Sequence, residues 1–354
     1  MNKLKIMFIE DDEDAQELFI GVVDVFNRKN QQHNLKVEYK IAADPVEASD
    51  IIDSSYDGAI IDLKLDDDDE AGNRIVKDLY ETFTRIPIIF VTAFADLVND
   101  HPSVIKTRRR EDGTYESDLQ LFQQIQDTGL TRIIGNRGVI EQQLREVFLK
   151  NLLPQIETWI SYGETYKETD PDRTEKALLR HALNHLYQLL EDNERYFPEE
   201  VYLHPPMLDK ITTGSMVKAN NQWFVVLSPA CDLVIREDGK YNTDCILFAE
   251  IERVKDALDG SKSKGKVTEL CTNKHTYRHW LPKTDFFEGG VLNFRKLASL
   301  NKDDFDKKFG KPIIQISPFF IKDIISRFSS YYARQGQPDI DKTAINDFIT
   351  RYTT

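Results

Sequence analysis

The chain has 354 residues, 30% of them charged, and a formal net charge of −14. That length suits two domains, each able to bury its own core, and the acidic balance disfavours generic binding to nucleic acid or acidic membranes. No run is long and apolar enough to span a bilayer, the start at Met1–Lys5 leads into a strand pattern rather than a signal peptide, and three cysteines without framework spacing suit reduced thiols of a cytoplasmic protein.

The first apolar run, Lys5–Ile9, ends in Glu10-Asp11-Asp12. A helix is expected from about Asp12 to Asn27, with Ala15, Leu18, Phe19 and Val22 on one face. A strand at Leu35–Ile41 and a helix near Pro45–Asp53 follow. The runs Gly58–Ile61 and Pro87–Val91 are short and apolar, and end in Asp62 and in Thr92-Ala93. Between them Ile75, Val76, Leu79 and Tyr80 mark a helix near Asn73–Phe83. Unalternated apolar strands separated by helices predict a parallel α/β sheet. In such sheets function gathers at the carboxyl ends of the strands. Glu10, Asp11, Asp62 and Thr92 are therefore expected in one acidic pocket, whose hard oxygens suit Mg²⁺. A carboxylate in such a site can act as a nucleophile toward phosphorus.

This constellation resembles the receiver domain of two-component response regulators. The resemblance covers about residues 1–150, a normal domain size, and rests on Phe8-Ile9-Glu10-Asp11-Asp12, Ile60-Ile61-Asp62-Leu63 and Phe90-Val91-Thr92-Ala93. It implies a doubly wound, flavodoxin-like, five-stranded parallel sheet. It further implies Asp62 as phosphoacceptor, direct Mg²⁺ ligation by Asp11 and Asp62, help from Glu10 through water, and ligation by the backbone carbonyl of Lys64. Thr92 would bond a phosphoryl oxygen, and a sensor histidine kinase would be the partner.

The family carries a Lys at the end of its fifth strand. Alignment to it places that strand at Thr131–Gly138 and puts Arg137 in the Lys position. Arg can pair with a phosphoryl oxygen, though its planar fork is not equivalent to an ammonium. Only Ile133 and Ile134 are on that segment, so the family's aromatic switch residue is missing. The turn Leu65–Gly72 is longer and more acidic than usual, and reads as a solvated loop. Phe94–Ser117, with Arg108-Arg109-Arg110, reads as a charged insertion on the output side.

Past Gly138 the helical pattern continues through Leu144, Phe148 and Trp159, with a break at Pro154. Another helix is expected from Arg173 to Asn193, carrying His181 and His185 one turn apart. Residues 151–200 thus form a helical connector whose apolar faces could join a homodimer.

Residues 201–354 read as a β-rich α+β domain. Strands are expected at Ser215–Lys218, Trp223–Ser228, Cys245–Ile251, His275–Leu281 and Pro312–Ile316, with a hairpin turn at Asn220-Asn221. Such short strands suggest a bent sheet or a partly open barrel. Asp256–Lys266 and Asn301–Lys311 read as polar interruptions, and Phe319–Tyr332 as a helix. The phrase Ser228-Pro229-Ala230-Cys231-Asp232-Leu233 vaguely resembles uncharacterised bacterial domains with a Ser-x-x-Cys-Asp-Leu signature, some near anti-phage genes. A phage-defence role would rest on that resemblance alone. Cys231 is expected to be a small buried hydrophobe. Cys271, His275 and His279 offer Zn²⁺-type ligands, but their spacing also fits one face of a strand.

The favoured function is a phospho-aspartate switch, relay or phosphate sink acting through a C-terminal interaction domain. The alternative is a receiver-controlled output enzyme, hydrolase- or nuclease-like, in the C-terminal half. A transcription factor is disfavoured by the absence of a recognisable helix-turn-helix and by the acidic balance.

Overall fold

Apolar runs without polar alternation become the centre of a parallel sheet, because they are buried on both faces. The computed structural model describes residues 2–353 apart from 52, 54, 67, 83, 136–137, 189–194, 237–240 and 335–338. The chain separates into two units, Met1–Asp192 and Asn193–Thr354.

In the first unit, β1 (Asn2–Ile9), β2 (Leu35–Ala42), β3 (Gly58–Ile61), β4 (Ile88–Val91) and β5 (Val104–Arg108) lie in the order β2-β1-β3-β4-β5. Every pairing is parallel. This is the flavodoxin-like order, with its switch point between β1 and β3. The helices α1 (Glu13–Lys29), α2 (Pro45–Ile51), α3 (Ala71–Glu81) and α4 (Tyr115–Asp127) cover the sheet. Successive strand residues point to opposite faces. Met7, Ile9, Ala59, Ile61 and Phe90 pack with Ile75, Val76 and Leu79 of α3. Ile6, Phe8, Ile60, Ile89 and Val91 pack with Phe19 of α1 and with Tyr115, Leu119 and Phe122 of α4.

The fifth strand is not where the sequence placed it. Thr131–Gly138 contains the end of a short helix, α5 (Leu130–Ile134), with Ile133 and Ile134 exposed. Arg137 lies outside the described residues. The strand is Val104–Arg108, inside the stretch read as a charged insertion. Its charges obscured it, and they are neutralised from α4. Lys106 Nζ donates to Asp118 Oδ1 at 2.9 Å, and Arg108 Nη2 donates to Asp118 Oδ2 at 2.6 Å. The connection from β4 to β5, residues 92–103, holds only a 3₁₀ turn at Ala95–Leu97.

Three further helices follow in this unit: α6 (Val139–Val147), α7 (Ile156–Tyr166) and α8 (Arg173–Gln188). A π-turn at Phe148–Leu152 and a 3₁₀ turn at Leu153–Gln155 absorb Pro154 between α6 and α7. α8 packs against both α6 and α7. No residue of α7 or α8 is buried, and Ile156, Ile160, Leu179 and Leu183 are exposed.

The second unit is built on an open seven-stranded antiparallel sheet. Its strands are β6 (Tyr202–Leu203), β7 (Ser215–Ala219), β8 (Gln222–Val226), β9 (Ile246–Glu252), β10 (Arg278–Leu281), β11 (Gly290–Leu300) and β12 (Ile314–Ile316). They run in the order β10-β11-β9-β8-β7-β12-β6. Asn220 and Asn221, both at positive φ, turn the β7–β8 hairpin as expected. The helices are α9 (Val254–Ala257), α10 (Lys264–Cys271), α11 (Lys302–Phe309), α12 (Pro318–Ala333) and α13 (Lys342–Thr353). Ile324 of α12 packs with Met216, Val225 and Phe294 in one core, while Phe305 and Phe309 of α11 pack with Val217, Val226 and Phe248 in another. The segment Asn301–Lys311, read as a polar interruption, is therefore an amphipathic helix whose two Phe complete that second core. The 11-residue β11 was also missed: its pairing with β9 shifts register between Leu292 and Leu297, which breaks its alternation.

Candidate functional site

Register brings the acidic residues together. Ile9 pairs with Ile61, and Ile61 with Phe90. Glu10, Asp62 and Thr92 therefore emerge where neighbouring strands end. Asp62 N donates to Ile9 O at 2.9 Å, and Thr92 N to Arg108 O at 3.1 Å, which extends the ladders past the strand ends. Glu10, Asp62 and Thr92 are buried. Asp11 is half-buried, and its Oδ2 accepts from Asp66 N at 2.8 Å. Asp12 caps α1, its Oδ1 accepting from Asp14 N at 3.1 Å. Glu10, Asp11 and Asp62 each offer an oxygen within 4.8 Å of the others. Among the described residues this is the only group of three or more His, Cys, Asp or Glu side chains so arranged.

The turn after Asp62 is tied to the site. Leu65 and Asp68 exchange backbone hydrogen bonds of 3.2 and 3.0 Å. Arg74 Nη1 donates to Asp68 Oδ1 at 3.0 Å, and Lys64 Nζ is 3.1 Å from Asp69 Oδ1. Gly72, at the start of α3, donates to Leu63 O at 2.8 Å. A Cβ at this position would lie 2.5 Å from the carbonyl oxygen of Asp62, so the close approach admits no side chain.

Among the described residues, the cation in the pocket is Arg110, which sequence reasoning did not select. Its Nη2 donates to both Glu10 oxygens at 2.8 and 2.9 Å and to Asp62 Oδ2 at 2.9 Å. Its Nη1 donates to Asp12 Oδ2 at 2.8 Å. Leu63 N supplies Asp62 Oδ1 with a bond of 2.7 Å. Burial and the neighbouring Asp62 push the Glu10 carboxyl up to about 7, against the pull of Arg110. The Asp12 carboxyl is held below its ordinary value, chiefly by its hydrogen bond from Arg110.

Arg108 holds the loop that presents Arg110. The Arg108 Nη1 donates to the carbonyls of Arg109, Arg110 and Gly113 at 3.1, 3.4 and 3.4 Å. The signal for this arrangement was Asp118, a carboxylate beside the apolar stripe of Tyr115, Leu119 and Phe122. A charge on a buried helix face requires a partner.

In the pocket Arg110 pairs with the carboxylates of Glu10, Asp12 and Asp62, and Asp11 lies beside Glu10 and Asp62 without an ion pair to it. That hard-oxygen donor set fits a divalent cation such as Mg²⁺. Thr92 Oγ1 accepts from Phe94 N at 3.3 Å, placing its hydroxyl oxygen at the same strand-end level.

Elsewhere in the first unit, a mainly apolar groove of about 780 Å³ is lined by Tyr80 of α3, Thr84 just beyond it, Ile105 of β5, and Leu130 and Ile134 of α5. In the second unit Cys231 is exposed, contrary to the expectation of a buried hydrophobe. The strand β8 ends at Val226, so Cys231 lies five residues beyond it, in a loop. Its thiol faces Asp232 Oδ1 at 3.6 Å, and its carbonyl accepts from Asn242 Nδ2 at 2.9 Å. His279 is buried on β10, where burial pushes its imidazole down to about 4. Cys271 ends α10, and His275 precedes β10, so the strand expected from His275 starts three residues later.

No family model matches the chain, and no curated protein matches it. Solved structures similar to its N-terminal part include receiver domains and response regulator proteins. The non-phosphorylated HemR receiver domain from Leptospira biflexa is 18% identical, over 34% of this chain and 91% of its own, with a TM-score of 0.24. A response regulator receiver protein from Pseudoalteromonas atlantica is 16% identical, over 36% and 98%, with a TM-score of 0.27. The response regulator protein TrrA from Thermotoga maritima, in complex with Mg(2+)-BeF, is 15% identical, over 35% and 97%, with a TM-score of 0.24.

Proposed function

We propose that the first unit is a phosphoacceptor domain of the response-regulator kind, with Asp62 as the acceptor. The observation that carries this reading is the convergence of Glu10, Asp11 and Asp62 within 4.8 Å at the carboxyl ends of adjacent parallel strands. A carboxylate oxygen of Asp62 attacks the phosphorus of a donor phosphohistidine. The P–O bond forms as the P–N bond breaks, and the imidazole keeps the electron pair and takes a proton from solvent. Asp11, Asp62 and the Lys64 carbonyl would hold Mg²⁺, with Glu10 helping through water, and the bound ion would neutralise charge on the phosphoryl oxygens. Thr92 bonds one of those oxygens through its hydroxyl. The cation role first given to Arg137 passes to Arg110, which already reaches Asp62.

In this reading the partner is a sensor histidine kinase and the compartment is the cytoplasm. No helix among the described residues is long and apolar enough to cross a membrane. Residues 201–354 act as an interaction domain, so the protein is a switch, relay or phosphate sink. The exposed apolar residues of α7 and α8 support association into a homodimer.

The test is to treat the full chain with acetyl phosphate or beryllofluoride, with and without Mg²⁺, and follow intact mass or binding. Mg²⁺-dependent modification that disappears in Asp62→Asn is expected. Undiminished labelling of Asp62→Asn would refute the assignment.

A further inference from the structure

Arg110 occupies the carboxylate oxygens that a divalent cation would need. Its Nη2 alone bonds Glu10 Oε1, Glu10 Oε2 and Asp62 Oδ2. Asp11 is the one member of the acidic trio that forms no ion pair with it. A cation entering among Glu10, Asp11 and Asp62 thus meets a resident positive charge and ligands already committed to hydrogen bonds. Like charges repel, and an occupied carboxylate oxygen is a poorer ligand.

The arrangement is built rather than incidental. The loop backbone around Arg110 is pinned by Arg108 Nη1, and Arg108 is held by Asp118, with both side chains buried. The Arg110 side chain itself is 38% exposed. It is therefore open to solvent on one side, free to withdraw from Glu10 and Asp62 while its backbone stays in place.

We propose that Arg110 is a tethered counter-ion of the acidic pocket that a divalent cation must displace from Glu10 and Asp62, so that Arg110 sets the threshold for metal binding. The inference rests on the reading of Glu10, Asp11 and Asp62 as a divalent-cation site. In the metal-free protein Arg110 offsets the repulsion among the carboxylates. On metal entry that task passes to the metal, and the guanidinium is released. Lys at this position supplies charge without the planar fork, so it holds the same oxygens less completely.

The experiment measures Mn²⁺ and Mg²⁺ affinity by calorimetry on the full chain, for wild type, Arg110→Ala, Arg110→Lys and Asp11→Ala, with thermal midpoints recorded with and without metal. Arg110→Ala is expected to bind Mn²⁺ roughly tenfold more tightly than wild type, equivalent to about 1.4 kcal/mol, with Arg110→Lys between them. The metal-free midpoint of Arg110→Ala should fall, and Mn²⁺ should raise it by more than it raises that of wild type. A folded Arg110→Ala with unchanged or weaker Mn²⁺ affinity, beside a weakened Asp11→Ala, overturns this inference alone. Unchanged affinity in Asp11→Ala removes the metal-site reading itself, and this inference with it.

Discussion

Arg108 and Asp118 form a buried ion pair in which both Arg108 Nε and Nη2 donate to a single oxygen, Asp118 Oδ2, at 2.9 and 2.6 Å. The pair joins β5 to α4 and fixes the loop between them. Breaking a buried pair from one side costs about 3–5 kcal/mol, because the remaining charge stays buried. Asp118→Asn is therefore expected to lower the thermal midpoint of the first unit clearly. A paired apolar replacement, Arg108→Met with Asp118→Leu, should recover at most a small part of that loss, because Lys106 and the three loop carbonyls lose their partners as well. A midpoint unchanged in Asp118→Asn would mean that the pair does not secure β5.

Glu10 gives the metal-free protein a pH dependence whose sign follows from burial. Its folded-state carboxyl lies at about 7, above the ordinary value of 4.5. Between these values the folded state binds more protons at Glu10 than the unfolded state does. Its contribution to stability is therefore fully present below about pH 4.5, and is lost as pH rises through about 7. The difference in thermal midpoint between Glu10→Gln and wild type should widen in favour of the variant across that window. A difference that stays flat from pH 4.5 to pH 7 would contradict the burial argument.

Thiol reactivity separates the cysteines. Cys231 and Cys245 are exposed, whereas Cys271 is half-buried and its thiol is pushed up by burial. A thiol-reactive dye added to the native protein should modify two groups in a fast phase and the third more slowly. Peptide mapping should place the fast pair at Cys231 and Cys245. Early modification of Cys271 would count against the burial seen for it at the end of α10.

Gly58 opens β3 directly beneath Phe122 of α4. A Cβ there would lie 2.2 Å from the Phe122 ring. Gly58→Ala must displace that ring from the core, an overpacking cost of about 1–3 kcal/mol. Combining it with Phe122→Leu should give back part of the loss, measured as a coupling between the two sites by thermal denaturation. Simple additivity of the two substitutions would show that the ring does not fill the glycine's space.

The site was readable wherever burial acts on both faces of a strand. Phe8-Ile9, Ile60-Ile61 and Phe90-Val91 are apolar because nothing polar fits between the two helix layers, and the residue after each pair enters the pocket. β5 was not readable in the same way. Its burial alternates, and Lys106 and Arg108 are tolerated only because Asp118, 10 or more residues later, receives both. A pairing of that range leaves no periodic trace within the strand itself. The same limit hid Arg110, whose partners Glu10 and Asp62 lie 100 and 48 positions away. In the second unit, Phe305 and Phe309 stood among so many Asp and Lys that the one-turn spacing of two aromatics was outweighed by charge.

Gly72 leaves no slack between Asp62 and α3. With the helix start resting against the carbonyl of Asp62 and bonded to Leu63, Asp62 cannot shift its backbone outward without moving the first turn of α3. That helix has 11 residues, a rod of about 16 Å at the usual rise. Ile75, Val76 and Leu79 are packed along it, so it translates or tilts as one piece more readily than it bends. Its far end carries Tyr80 and Glu81, two walls of the apolar groove. Asp62 and that groove are thus opposite ends of a single stiff lever, and a fraction of an ångström at one end has no flexible segment within the helix in which to be lost.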